Sequence, residues 1–310
     1  MRKIPIVIDC DPGIDDIAAL LLARQIERFD IQAITTVAGN VRLEHTTKNA
    51  LELLSFIGWD LPVGKGTEKP LTRPLVTAED IHGAGGMGGL QLPPTTKLPG
   101  PEPAWDLLYR IATQNPGELV IIAVGPLTNI AIALAKYPDL PALISRIVIM
   151  GGAFLAGNTT PAAEFNIYVD PQAAKRVFQS GIPFYLCPLD LTHQAYITDA
   201  ELSHIGGFGS PVAEFFRDVL MYGYHSIAAA YTDGKGVPLH DPVAVLFAAD
   251  ESLFTYEECF IGVETGGVLT SGRTVTDCYS DKQLDNNGFL VQTVNRQAFI
   301  QSIYNLIKKY

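Results

Sequence analysis

Continuous apolar runs of strand length alternate with helix-period segments through most of this 310-residue chain. The runs lie at 4–9, 31–37, 119–124, 146–150 and 184–189, and helical periodicity follows at 15–28, 43–56, 127–136 and 171–180. A strand that is apolar at nearly every position must be covered on both faces. The alternation therefore predicts an α/β fold, Rossmann-like, with a mainly parallel central sheet flanked by helices. After about residue 199 the pattern turns helical as far as 231, and a last helix is expected at 295–308. No internal repeat interrupts the pattern, and the chain is read as one domain over 1–310.

Composition narrows the class. Hydrophobic residues make up 47% and charged residues 18%, which suits a packed core and argues against disorder. A formal charge of -11 leaves no basic surface for a phosphate backbone, so nucleic acid is not expected as a partner. The cysteines, Cys10, Cys187, Cys259 and Cys278, show no CxxC spacing and read as free thiols. The apolar run at 4–8 is too short for a signal-peptide core, and no run reaches membrane-span length. A cytoplasmic protein with no membrane partner is expected.

The stretch IPIVIDCDPGIDDIAALLL at 4–22 sets Asp9, Asp11, Asp15 and Asp16 where the first strand gives way to a helix. Acids in a first helical turn complement the helix dipole, which accounts for two of the four. The whole cluster is costly unless a cation or hydrogen bonds compensate it. Asp11 and Asp16 are spaced so that a strand end and a helix turn can grip one ion, with a distant carboxylate such as Asp241 completing the cage. An all-oxygen set favours calcium, and zinc is disfavoured because no His or Cys cluster accompanies it. In open α/β sheets ligands bind beyond the carboxyl ends of the strands, where AGN with Asn40, GPLTN, MGG and LDLTH also lie. An irregular stretch at 65–103, with HGAGGMGG at 82–89, reads as a functional or disordered loop, and a second at 153–163 follows MGG.

In order along the chain stand DCDPGIDD at 9–16, TTVAGN at 35–40, GPLTNIA at 125–131, MGGAF at 150–154, GN at 157–158, AEFNI at 163–167, LDLTHQA at 189–195 and HDP at 240–242. This series resembles the nucleoside hydrolase family over nearly the whole chain. FIGVETGGVLTSGRTVTD at 260–277 makes it look closest to the ribonucleoside hydrolases of broad specificity. The resemblance implies water-driven cleavage of the N-glycosidic bond of purine and pyrimidine ribonucleosides, with Ca2+ as cofactor, in nucleoside salvage or catabolism. It implies a homodimer or homotetramer.

Carried over residue by residue, the resemblance makes Asp11, Asp16, Asp241 and the backbone carbonyl of Val124 the metal ligands. The family often has Thr where Val124 stands, but a carbonyl ligand is indifferent to the side chain. Asp15 and Asn166 would bond the ribose hydroxyls, Asn158 and Glu164 the 5′ hydroxyl, Asn40 would lie close to the sugar, and Met150 would pack beneath it. Asp11 would take the proton of the attacking water, and His240 would protonate the departing base, since histidine holds a proton near neutral pH. His82 in the Gly-rich loop is expected near the base or the 5′ side, and Tyr231 and His225 lie in the helical region that in this family contributes the base-facing wall. Two other readings stand beside this one. A haloacid dehalogenase-type phosphatase also ends a strand in DxD, but Pro12 and Gly13 follow the pair here and the later strand ends carry no lysine. A calcium-dependent nucleoside or ribose binding protein would keep the cluster without turnover.

Overall fold

The computed structural model describes residues 3–232, 234–278 and 284–310, with only the backbone for 223–231. Eleven strands occur among them: β1 (Ile4–Cys10), β2 (Phe29–Thr36), β3 (Val63–Lys65), β4 (Leu119–Ala123), β5 (Ile144–Met150), β6 (Phe184–Cys187), β7 (Tyr196–Ile197), β8 (Val237–Pro238), β9 (Phe254–Val263), β10 (Thr274–Asp277) and β11 (Gly288–Val294). All but β7 and β8 join one sheet in the order β10-β9-β11-β6-β5-β4-β1-β2-β3. From β3 to β11 the neighbours are parallel. At the other edge β9 lies antiparallel between β11 and β10.

Alternation along each central strand fills two cores. Ile6, Ile8 and Cys10 of β1 and Val120 and Ile122 of β4 point to one face. Val7 of β1 and Leu119, Ile121 and Ala123 of β4 point to the other. Both faces are apolar because helices cover both, the physical reason a parallel strand lacks a polar side. The helix Ile14–Gln25 is buried nearly all round, and it packs against the helices His240–Ala249 and Pro211–Tyr231. His240–Ala249 is buried along its length after His240.

The order reverses at β1, with β2 on one side and β4 on the other. Loops leaving the carboxyl ends at such a switch point diverge and open a crevice. The expected strands and helices appear with small shifts at their ends, as at the helix Leu43–Phe56. The expected helical region resolves into Asp199–Gly206 and Pro211–Tyr231. Residues 65–103 are irregular apart from the short helix Glu79–His82. The antiparallel edge and the helix Ala104–Gln114 add to what the sequence pattern predicts. Among the described residues no helix is long and apolar enough to cross a membrane.

Candidate active site

The turn between β1 and its helix is closed by Asp16. Its Oδ1 accepts from Asp11 N at 3.0 Å and its Oδ2 from Gly13 N at 2.9 Å. Helix capping, the bland reading of the acids, is therefore part of what Asp16 does. Asn40, from the loop after β2, ties the turn down: its Nδ2 donates to Asp16 Oδ2 at 2.9 Å and to Asp11 O at 3.2 Å. Its backbone N–H donates to Asp11 Oδ2 at 2.7 Å. The Asp11 carboxylate is enclosed by glycines, because a β carbon at Gly39 would lie 2.1 Å from Oδ2 and one at Gly125 2.5 Å from Oδ1. Only glycine lets these two loops close so near the carboxylate.

Four carboxylates converge there. Asp15, Asp16 and Asp241 each offer an oxygen within 4.8 Å of the others. Asp11 Oδ1 is buried without a hydrogen-bond partner. Carboxylates brought this close repel one another unless a proton or a cation lies among them. Burial, with added repulsion from Asp15, pushes Asp16 up to about 7. Burial and the neighbouring acids hold Asp11 and Asp241 well above the usual carboxylate range. An orphaned buried oxygen and an oxygen-only donor set without a compensating positive charge fit a hard divalent cation. Val124 O already accepts from Asn166 Nδ2 at 3.0 Å, and a carbonyl keeps a second lone pair for a ligand.

Beside this cluster opens a cavity of about 340 Å³. Its lining brings together Asp15, Asn40, His82, Val124, Met150, Asn158, Glu164, Asn166, His240 and Asp241, while Asp11 and Asp16 lie buried behind it. Tyr231 and His225 have side chains outside the described residues. Glu164 caps the helix Phe165–Val169, accepting from Asn166 N at 2.8 Å and Ile167 N at 3.1 Å, and it also takes Gly152 N at 2.9 Å. The next helix, Pro171–Phe178, has its own cap in Asp170. Burial raises Glu164 to about 7 even so. Asn166 also reaches Met150 O at 3.2 Å, and Asn158 Oδ1 accepts from Phe165 N at 2.9 Å.

Two histidines face the cavity in states the sequence does not give. Burial lowers both His82 and His240 to about 4. At His240 burial works against the charged ring, while the charge of Asp15 works for it. His82 belongs to a docked segment, its Nδ1 accepting from Ile14 N at 3.1 Å. Asn49 pins the same segment, donating to Pro12 O at 2.9 Å and Gly85 O at 2.8 Å.

Sequence reasoning missed the apolar wall made by Val76, Ile81, Leu220, Val237 and Pro238. It left Asp9 and Asp190 unassigned. Asp9 Oδ1 accepts from Thr35 Oγ1 at 2.5 Å and Asn129 Nδ2 at 2.8 Å, joining the ends of β1 and β2 to the helix Thr128–Lys136 that follows β4. Asp190 accepts from Phe154 N at 2.8 Å and Leu155 N at 3.1 Å, and so fixes the loop after β5.

The family model for inosine-uridine preferring nucleoside hydrolases matches residues 6–301. The chain belongs to this family. Among relatives of the nucleoside hydrolase chain, the pyrimidine-specific ribonucleoside hydrolase RihA of Photobacterium profundum is 42% identical over 307 residues, covering 99% of each chain. RihA of Klebsiella pneumoniae (strain 342) is 41% identical over 310 residues, again covering 99% of each. The solved plant nucleoside hydrolase PpNRh1 superimposes with a TM-score of 0.94 at 33% identity, covering 100% of both chains. A purine-preferring ribonucleoside hydrolase from Gardnerella vaginalis gives 0.92 at 29% identity over 98% of both chains.

Proposed function

We propose that this protein is a calcium-dependent ribonucleoside hydrolase that splits the N-glycosidic bond of pyrimidine and purine ribonucleosides with water, giving ribose and free base. The observation that carries the reading is the buried, unpartnered Asp11 Oδ1 behind a cavity into which Asp15 and Asp241 also face. Asp11, Asp16, Asp241 and the carbonyl of Val124 would hold the ion. When bound, calcium supplies a positive centre that orients the sugar hydroxyls and makes water a better acid.

The remaining steps belong to the chain. Asp11 takes the proton of the attacking water through Oδ1, while the Asn40 N–H on Oδ2 fixes the carboxylate's orientation. Asp15 and Asn166 hold the ribose hydroxyls, and Asn158 and Glu164 hold the 5′ hydroxyl. Asn40 and Met150 bound the sugar. Positive charge developing on the ribose, as in other glycoside hydrolyses, faces carboxylates already in place, so it is stabilised as it forms. His240 supplies a proton or hydrogen bond to the departing base, with His82 in the same cavity, and the resemblance alone adds Tyr231 as a base-side candidate.

Pyrimidine turnover is supported by relatives named pyrimidine-specific at 39–42% identity. The purine side rests on the broader resemblance and on a purine-preferring neighbour at 29% identity. We place the protein in nucleoside salvage or catabolism, acting as one domain in a cytoplasmic homodimer or homotetramer. Ribose release from uridine, cytidine, inosine and adenosine, with added calcium and after chelation, tests the reading. Release that chelation abolishes is expected. Release from uridine and cytidine alone would remove the purine part, and chelator-resistant release would remove calcium.

A further inference from the structure

Thr192 ends the short helix Leu189–Thr192, is fully buried, and sits outside the cavity lining. Its Oγ1 lies 2.7 Å from His240 Nδ1 and 3.3 Å from Leu189 O. A hydroxyl has one proton to give, so it serves one of these acceptors. Hydroxyl donors to oxygen sit at about 2.5–3.0 Å, which leaves the 3.3 Å contact to Leu189 O long, whereas 2.7 Å is the lower end of the range of about 2.7–3.2 Å for an N–H donor to oxygen. The distances fit Thr192 donating to Nδ1.

A ring nitrogen that accepts a hydrogen bond carries no proton, so with Nδ1 accepting, the ring's proton sits on Nε2. We infer that Thr192 is a positioning residue that fixes the His240 tautomer with Nε2–H presented to the departing base. The inference rests on the hydrolase reading above. Thr192 touches neither sugar nor base, and its effect is confined to the step in which the base leaves with its bonding electron pair. With the hydroxyl removed, the ring loses the partner that selects this tautomer and orients the plane.

The test pairs two substrates on the intact protein with calcium. Uridine needs a hydrogen-bond donor for its leaving group, whereas p-nitrophenyl β-ribofuranoside departs as an anion that is stable without one. Thr192→Val should lower kcat on uridine by about tenfold or more, a fraction of what a full general acid contributes. It should leave p-nitrophenyl riboside turnover at the wild-type level, and Thr192→Ser should restore uridine. Unchanged uridine turnover, or equal losses on both substrates, would overturn the assignment of Thr192. Wild-type protein that cleaves neither substrate would overturn the hydrolase reading first and the inference with it. Ring ¹⁵N NMR of the wild-type protein, with the His240 signals identified by their loss in His240→Gln, reads the tautomer without any Thr192 variant. A pyridine-like Nδ1 and protonated Nε2 are expected, and a protonated Nδ1 would overturn the inference.

Discussion

Asp11 and Asp16 show how one residue type at one turn carries different loads. Asp16 commits both oxygens to backbone N–H groups and Asn40, so its replacement would unfasten the turn as well as the ion. Asp11 keeps Oδ1 uncommitted inside the protein. Asp11→Asn is therefore expected to lower kcat by about 10² to 10⁴, the usual cost of removing a positioned acid–base group. The metal-free variant should melt close to wild type, since the amide keeps an acceptor for the Asn40 N–H and removes one of the crowded acids. Parallel ribose-release assays and thermal melts check both halves, and retained turnover would remove Asp11 as the base. His240→Ala should lose about 10² to 10⁴ in nucleoside turnover while its calcium affinity, measured by titration calorimetry, stays at the wild-type level. The acids were legible in sequence because four carboxylates behind an apolar strand repel one another and so demand a compensating partner. The downward shift of His240 was not, because it comes from burial under residues scattered through the chain.

At the scale of elements, local propensity and tertiary contact each account for part of the structure. The helix Asp199–Gly206 opens with a capping box: Thr198 Oγ1 accepts from Glu201 N at 3.2 Å while Glu201 reaches back to Thr198 N at 2.8 Å. Thr198→Ala should cost about 1 kcal/mol of stability, read from the midpoint of a urea melt, with no change in kcat. A loss well above that would mean the Glu201 contact to Arg296 depends on the cap as well. Central strands such as β1 and β4 were readable because burial on both faces writes an unbroken apolar run. The antiparallel strand β9 was not, for its sequence FTYEECFIGV mixes exposed Thr255, Tyr256 and Glu258 with buried Cys259 and Ile261. The helix Ala104–Gln114 is short and follows a Pro-rich loop, so its periodicity merges with the irregular stretch before it.

Over the whole molecule the acid cluster couples folding to pH and to the cation. Asp16 is raised to about 7 and Asp9 to about 6, both chiefly by burial, from ordinary values near 4. An acid whose pKa is higher folded than unfolded binds more protons in the folded state between the two values. Metal-free protein should therefore lose stability as pH rises from about 4 through about 7, the reverse of the usual gain on leaving acid. A cation in the cluster removes the penalty of the charged form, so the calcium-dependent gain in stability should grow over the same window. At a free calcium concentration a hundredfold above its Kd the gain from binding alone is about 2.7 kcal/mol. Melting temperatures of chelated and calcium-loaded protein, taken across this pH range, give the comparison. Curves that diverge as pH rises support a metal centre in the acid cluster. Parallel curves would mean that hydrogen bonds and shared protons, rather than an ion, hold the four carboxylates together.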